Sequence, residues 1–560
     1  MNDQSIFRNA YEIYEKGNYE DALKQLNKLN NKDYNYFLLR SKIYFQIKEY
    51  SNSIKDLQLC INYTQLSPEP YQLLSKCYLK MFNYEKAKLM INKAEELDKG
   101  IKENIEIMKE IENIINENKE KEKNNPQYKT YLEYMKNLYE NNIYINKLTV
   151  VFQNENMRGI KATENIKKND ILIKIPKDFL ITLDKAEEKY KEMFTPELKN
   201  KLSSPNHCIL SLFLLSEIKK EKESKWYFYF NFLPKSYLNF PIFYTNKELT
   251  LLKGTKFLQS IIQKEKEIKK DYEILSEQII NFSNQNSYEE FCKIRCIISS
   301  RIFGLIINNK KTDIIAPFAD LLNHKRSKET KWIYSENENF FGIISLKNIN
   351  KDFEVFDSYG RKNNLRFLLN YGFTVENNED DDIQIEICLN ENFPNYEKKM
   401  NLVSLFPKRV FYLSKNIEDI QTFQFFSFVR LLNYDGCIDN INFNFAISLE
   451  NEINVLKAII DILTKELLRY DNTLNDDILF LKENKNKMTF NEYNCYIIRI
   501  SEKDILNYYI IMCEKCINLF QKSINEIEVI LKNLIYKNIN GLLEYEFYIK
   551  EVLRSSLKKN

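Results

Sequence analysis

Two stretches carry the reading of this chain: Asp320-Leu321-Leu322-Asn323-His324 and, about thirty-five residues later, Ser358-Tyr359-Gly360, which leads through Asn364 into Tyr371-Gly372-Phe373. We read them as the two halves of one site. Scarcity elsewhere narrows the chemistry such a site can do. The only histidines are His207 and His324, which excludes HExxH zinc chemistry and confines any histidine-based triad to two positions. The ten glycines never occur as Gly-x-Gly, so the dinucleotide fingerprint, the Walker A loop and the GxSxG elbow are missing together. A nucleotide-like cofactor would have to sit on a fold that needs no glycine-rich phosphate cradle.

At 560 residues the chain is too long for one ordinary core, and two to four domains are expected. With 44% hydrophobic and 14% aromatic residues it can bury a substantial interior despite 29% charge. Its 82 Lys and Arg stand against 79 Asp and Glu, a net charge of +3, so no strong field for polyanions follows and direct nucleic-acid binding is not implied. The N-terminus Met1-Asn2-Asp3-Gln4 has no basic flank or apolar core of a signal peptide, and nowhere do ~18 apolar residues run together as a membrane helix requires. An intracellular protein, cytoplasmic or nuclear and not membrane-bound, is expected. The ten cysteines are scattered. Only Cys513-Glu514-Lys515-Cys516 has CxxC spacing; it lies in a helical pattern with no second pair nearby, and reads as buried thiols rather than a zinc site.

From residue 8 to about 98 a unit of roughly 31 to 34 residues repeats three times. Each has a small residue (Ala10, Ser41, Ser75), a tyrosine at a turn (Tyr19, Tyr50, Tyr84), a second small or short apolar position (Ala22, Ser53 or Ile54, Ala87) and an aliphatic one (Leu26, Leu57, Ile91). Small residues belong where two antiparallel helices cross closely. The pattern resembles tetratricopeptide repeats, best in Gly17-Asn18-Tyr19-Glu20-Asp21-Ala22. It implies a helix-pair stack that either stabilises the chain or binds a peptide or protein partner. Ile101 to Asn116 continues as helix. Glu117 to Pro126 then loses apolar periodicity and reads as a solvated linker or frayed helix end.

After a short helix (Tyr128 to Tyr139) the pattern changes to strands at Leu148–Phe152, Gly159–Ala162 and Asp170–Pro176, bounded by Asn, Gly and Pro. Helical stretches at His207–Lys220 and Tyr288–Phe303 lie between these and later strands, which gives an α+β domain. From Asn401 onward the apolar spacing is helical, as at Ile453, Leu456, Ile459, Ile460, Leu463 and Leu467. Glu379-Asp380-Asp381-Asp382 reads as a solvated loop.

Met157-Arg158-Gly159-Ile160-Lys161-Ala162, Asn169 to Pro176, Ser300-Arg301-Ile302-Phe303, Asp320 to His324 and Ser358 to Phe373 together resemble SET-domain protein methyltransferases. More narrowly, they resemble the branch typified by the Rubisco large-subunit lysine methyltransferase and its actin-histidine relative. The resemblance covers about residues 128 to 530, in order. It implies a multidomain architecture: all-α repeats over 1–116, a linker over 117–130, and an α+β SET domain over 131–375. That domain would have short sheets, a pseudoknot and a helical insertion at about 190–310, and an all-α substrate-binding domain over 376–560 would follow.

The function implied is transfer of a methyl group from S-adenosyl-L-methionine to a protein substrate, with no metal. Such an in-line displacement needs alignment and exclusion of water, and a lysine nucleophile is readied by desolvation in an apolar channel. By the resemblance Tyr359 is the catalytic tyrosine. Met157, Arg158, Gly159, Arg301, Asn323, His324, Tyr359 and Phe373 would meet the cofactor, and Ile302, Ala319, Asp320 and Tyr371 the substrate. Two departures stand out. Met157 replaces the first glycine of the family's Gly-x-Gly, and Asp352 replaces a common glycine before Glu354-Val355. Ile302 and Ala319 stand where the histidine-directed relative carries a polar and a bulky aromatic residue. The apolar, roomier channel favours lysine, with a histidine-directed enzyme or a catalytically weak scaffold as alternatives.

Overall fold

The computed structural model describes residues 3–152, 158–307, 309–403, 408–439, 441–534 and 542–557. The chain forms two compact units, Met1–Ser236 with Ser283–Tyr359, and Tyr237–Phe282 with Gly360–Asn560. These divisions differ from the sequence boundaries: the repeats and the site strands share one unit, and part of the helical insertion belongs to the other.

In the first unit the repeat pattern becomes three helix pairs: α1 (Asp3–Glu15) with α2 (Tyr19–Leu26), α3 (Tyr34–Gln46) with α4 (Tyr50–Tyr63), and α5 (Pro68–Lys80) with α6 (Tyr84–Leu97). Ala10, Ser41, Ser75, Ala22, Ser53, Ala87, Leu26, Leu57 and Ile91 are all fully buried. The small residues let the paired backbones approach so closely that a hydroxyl reaches the partner's carbonyl. Ser53 Oγ donates to Ser41 O and Ser75 Oγ to Ala87 O, each at 2.8 Å. The turn within each pair has a left-handed residue, Gly17 (φ 80), Lys48 (φ 65) and Phe82 (φ 60). The charged run that reads as a linker is instead helical: α7 extends over Lys102–Asn124, with Lys121 and Glu117 3.6 Å apart one turn from each other. Asn118 is buried and accepts from Tyr128 Oη at 3.3 Å. The break falls at Asn125-Pro126, and α8 (Gln127–Glu140) follows.

The strands that follow are β1 (Tyr144–Ile145), β2 (Leu148–Phe152), β3 (Arg158–Ala162), β4 (Ile171–Pro176), β5 (Ile181–Thr182), β6 (Ile302–Ile307), β7 (Lys310–Ile315), β8 (Asn323–His324), β9 (Thr330–Ser335), β10 (Phe340–Ser345) and β11 (Phe356–Asp357). They form small sheets ordered β1-β4-β10-β9, β2-β3, β5-β7-β6 and β8-β11. All pairings are antiparallel except β8 with β11, which runs parallel. A parallel pair of two-residue strands needs a long crossover, and the β9–β10 pair supplies it. The apolar helix Pro205–Lys219, buried along most of its length, and the helix Tyr288–Arg301 complete the core.

The second unit is mainly helical, as expected, but adds a two-stranded sheet of β12 (Asp382–Cys388) and β13 (Lys408–Ser414). Ile383, Ile385 and Ile387 alternate inward on β12, and on β13 only Phe411 and Leu413 do; the Lys and Arg at its start hide the alternation. The acidic run at 379–382 is not a solvated loop. Asp381 is buried, Asp380 pairs with Arg361 at 2.9 Å, and Asp382 accepts from Asn363 at 2.7 Å. Cys513 and Cys516 are buried inside the helix Phe490–Phe520. Among the described residues no helix is long and apolar enough to cross a membrane.

One deeply buried ion pair here joins Arg430 to Glu452, with side chains 5% and 0% exposed. Tyr548 Oη also donates to Glu452. Truncating Glu452 to alanine leaves a buried guanidinium unpaired. It is expected to cost about 3–5 kcal/mol, read as a lowered urea midpoint.

Candidate functional site

The parallel register sets Phe356 beside Asn323 and Asp357 beside His324, with Lys325 N donating to Asp357 O at 2.8 Å. It brings the two sequence halves together. Tyr359 N donates to His324 Nδ1 at 3.0 Å and Tyr359 Oη donates to Leu322 O at 2.8 Å. The two rings lie 5.2 Å apart. Because Nδ1 accepts, a neutral His324 carries its proton on Nε2. The tyrosine is held at both ends, its amide on one residue of the first motif and its phenol on another.

Asn323 ties this pair to the β3 strand. Its Nδ2 donates to Arg158 O at 3.0 Å and to Glu354 Oε1 at 2.7 Å. Gly159 lies so close beneath that a Cβ there would stand 2.5 Å from Glu354 Oε1 and 2.9 Å from Asn323 Nδ2. A side chain there would force the Glu354 and Asn323 side chains to shift. Backbone bonds continue the contact, from Val355 N to Ile160 O at 2.7 Å and from Ala162 N to Phe353 O at 2.9 Å. Asp352 adopts φ 67, a conformation that favours glycine and that aspartate tolerates, and its carboxylate meets Lys161 at 3.2 Å. Met157 lies outside the described residues.

Arg158 turns its guanidinium onto Phe232, 4.2 Å from the ring centroid, and donates to the Phe232 carbonyl. Arg301 points at Asp320, with Nη1 2.8 Å from Oδ2 and 3.2 Å from the backbone oxygen. Tyr229 Oη donates to the same Oδ2 at 2.7 Å. Burial, then the charge of Asp320, holds the Tyr229 and Tyr134 phenols well above their ordinary range. Asp320 Oδ1 is buried without a hydrogen-bond partner among the described residues. Ala319 is buried in the turn before it, where Phe318 adopts φ 79. Ile302 opens β6 and pairs with Ile315.

Tyr371 and Phe373 belong to the second unit. They flank Gly372, which ends the helix Asn364–Tyr371 at φ 77. Phe373 stacks on Phe367 at 5.2 Å, and Tyr371 lies 6.3 Å from Phe373. Asn364 fixes this segment through Asp381 Oδ2 at 2.7 Å and Val375 O at 2.9 Å.

Three participants escape the motif reading. Glu354 looks like one acidic residue in a charged turn until Asn323 is seen on it. Leu322 contributes only a carbonyl, which no side chain announces. Asp357 is 2% exposed, and burial pushes its carboxyl up to about 6 against hydrogen bonds from Ser358 N and Thr330 Oγ1.

Residues 157–360 match the SET domain family and residues 390–506 the Rubisco LSMT substrate-binding family. The chain is similar to the ribosomal lysine N-methyltransferase set10 of Schizosaccharomyces pombe, 26% identical over 242 residues, covering 42% of this chain and 43% of that protein. It is similar to the actin-histidine N-methyltransferase of Mus musculus, 21% identical over 399 residues, covering 66% of each. It is also similar to the ribulose-1,5 bisphosphate carboxylase/oxygenase large subunit N-methyltransferase of Pisum sativum, 26% identical, covering 44% of this chain and 51% of that one. The chain thus spans less than two thirds of the length of these relatives. A solved structure, the SET domain of LSMT bound to lysine and AdoHcy, superposes with a TM-score of 0.58 at 20% identity, covering 69% of this chain and 91% of that one.

Asp357 gives this site a pH signature. Its folded pKa of about 6 lies above the ordinary value of 3.8, so the folded protein binds the proton more tightly and this group's contribution to stability falls as pH rises from about 4 to about 6. Asp357→Asn keeps an acceptor for Thr330 and removes the charge. It is expected to raise stability at pH 7 by roughly 1–3 kcal/mol and to flatten the pH 4–6 part of the profile, read by urea denaturation at each pH.

Proposed function

The chain carries a SET domain followed by a Rubisco LSMT substrate-binding domain, and from that premise we propose that it is an S-adenosylmethionine-dependent protein-lysine N-methyltransferase. The observation that carries the reading is the double tether of Tyr359 to His324 and Leu322. It holds a phenol in one place beside a paired strand, which is what a methyl-transfer channel needs.

S-adenosylmethionine would supply an electrophilic methyl on a sulfonium. The donor set fits it: the backbone at Arg158–Gly159, kept clear of a side chain, the 323–324 backbone, and His324 with its N–H at Nε2. The Asn323 amide nitrogen is committed to Arg158 and Glu354, so in this reading the residue holds the β3 strand at the cofactor rather than gripping the cofactor through that nitrogen. Arg301 keeps Asp320 in place, and the unpartnered Asp320 Oδ1 would accept a hydrogen bond from the substrate. Met157 would flank the cofactor.

Lysine is favoured by what lines the channel. Ala319 is small and buried, and Ile302 is aliphatic. A lysine entering such a place sheds its proton through desolvation. The histidine alternative draws on the actin-histidine relatives. The division into repeats (1–116), SET domain (131–375) and substrate-binding domain (376–560), an intracellular location, and a partner for the repeats are parts of the same proposal.

Calorimetric titration is expected to show saturable S-adenosylmethionine binding; none at millimolar cofactor overturns the enzyme and favours a scaffold. Transfer of labelled methyl to lysate protein should fall by roughly 100-fold in Tyr359→Phe and also in Asn323→Ala. Equal labelling by all three proteins would refute this site. Acid hydrolysis of the labelled protein should release methyl-lysine, and methyl-histidine would transfer the assignment to the alternative.

A further inference from the structure

The three inter-helix turns of the repeats need the same left-handed residue, yet only the first supplies glycine. Gly17 has nothing within 4 Å of where its Cβ would be. Lys48 and Phe82 occupy the corresponding places at φ 65 and φ 60, a conformation that a bulky side chain rarely adopts. Both side chains reach the core that follows. Lys48 Nζ donates to Asn146 Oδ1 at 3.0 Å and meets Glu164 at 3.2 Å. Phe82 stacks on Tyr139 of α8 at 6.0 Å and meets Tyr131 edge-on at 6.1 Å.

The rings continue inward without a gap. Tyr131 lies 6.1 Å from Phe232 and 5.9 Å from Phe152, and Tyr134 stacks on Phe232 at 4.9 Å. Phe232 is 2% exposed. It carries the Arg158 guanidinium on its face and accepts its hydrogen bond at its carbonyl. Arg158 in turn offers its own carbonyl to Asn323. A packed run of side chains thus joins the turn of the third repeat to the strand at the site. Aromatic pairs prefer defined offsets and angles, so displacing one ring displaces the next.

We infer that Phe82 is a positioning residue for Arg158, so that the turn edge of the repeat stack supports the cofactor strand instead of forming a detachable recruiting module. The link to the cofactor rests on the function proposed above; the support of Arg158–Ala162 does not.

The test uses the full chain with Phe82→Gly, which suits the left-handed turn and removes the ring, and Phe82→Tyr, which keeps the ring. Hydrogen exchange of the Arg158–Ala162 amides in the cofactor-free protein is expected to quicken several-fold in Phe82→Gly, with β10 unchanged, and to return to the wild-type rate in Phe82→Tyr. S-adenosylhomocysteine, titrated calorimetrically, should bind roughly five-fold more weakly to Phe82→Gly and normally to Phe82→Tyr. Wild-type exchange at Arg158–Ala162 in folded Phe82→Gly, or quickening that extends equally to β10, overturns the proposal. Faster local exchange with unchanged affinity overturns its link to the cofactor. If wild type itself fails to bind S-adenosylhomocysteine, the proposed function falls while the exchange data still decide the positioning role. Should Phe82→Gly not fold, Phe82→Leu takes its place with the same outcomes.

Discussion

One carboxamide holds the site together. Asn323 Nδ2 donates to a carbonyl 165 residues before it and to a carboxylate 31 residues after it, beside the backbone bonds that join 352–355 to 160–162 and β11 to β8. The bond to Glu354, at 2.7 Å, is charge-assisted and so among the stronger kind. It draws β3 against the turn before β11, where Gly159 leaves room for the Glu354 carboxylate. With that turn fixed, β11 enters parallel to β8 in a single register, and the register delivers Tyr359 to His324 and Leu322. A slip of one residue would turn Asp357 and Tyr359 to the opposite face.

The chemistry was more legible than the contacts that support it. Asn323, His324 and Tyr359 stand out because their segments resemble the SET family's motifs, and the structure brings them together through hydrogen bonds. Glu354 did not stand out, since an acidic residue among Lys351, Asp352 and Phe353 looks like any exposed turn. Leu322 acts through its backbone, which side-chain chemistry cannot advertise. The repeats were readable from small residues because close helix crossing constrains size. The charged end of α7, read as a solvated linker or a helix end, is the helix end, because a solvated helix needs no apolar period when pairs such as Glu117–Lys121 line its surface. The strand β13 was missed because cations at its exposed start broke the alternation. The acidic run 379–382 was misjudged by composition alone: its partners Asn363, Asn364, Arg361 and Ser501 lie 17 to 120 residues away in the chain.

Two aspartates show what burial does in these motifs. Asp357 in the first unit and Asp381 in the second are both pushed up to about 6, with desolvation the largest cause. Each is met by hydrogen-bond donors that carry no charge: Thr330 and Ser358 N at Asp357, Ser501 and Asn364 at Asp381. Neutral donors temper the cost of a buried carboxylate without cancelling it. Asp320 differs in kind, because Arg301 supplies a full positive charge at 2.8 Å.

The same desolvation acts with opposite sign on an amine. An environment that disfavours the charged form raises a carboxyl and lowers an ammonium, as happens in this chain at Lys399, which is held to about 8 by burial while its Nζ donates to the carbonyls of Leu432 and Tyr434. One cause, burial, thus acts on Asp357 and on Lys399 in opposite directions because the charged form of each is the one that loses water.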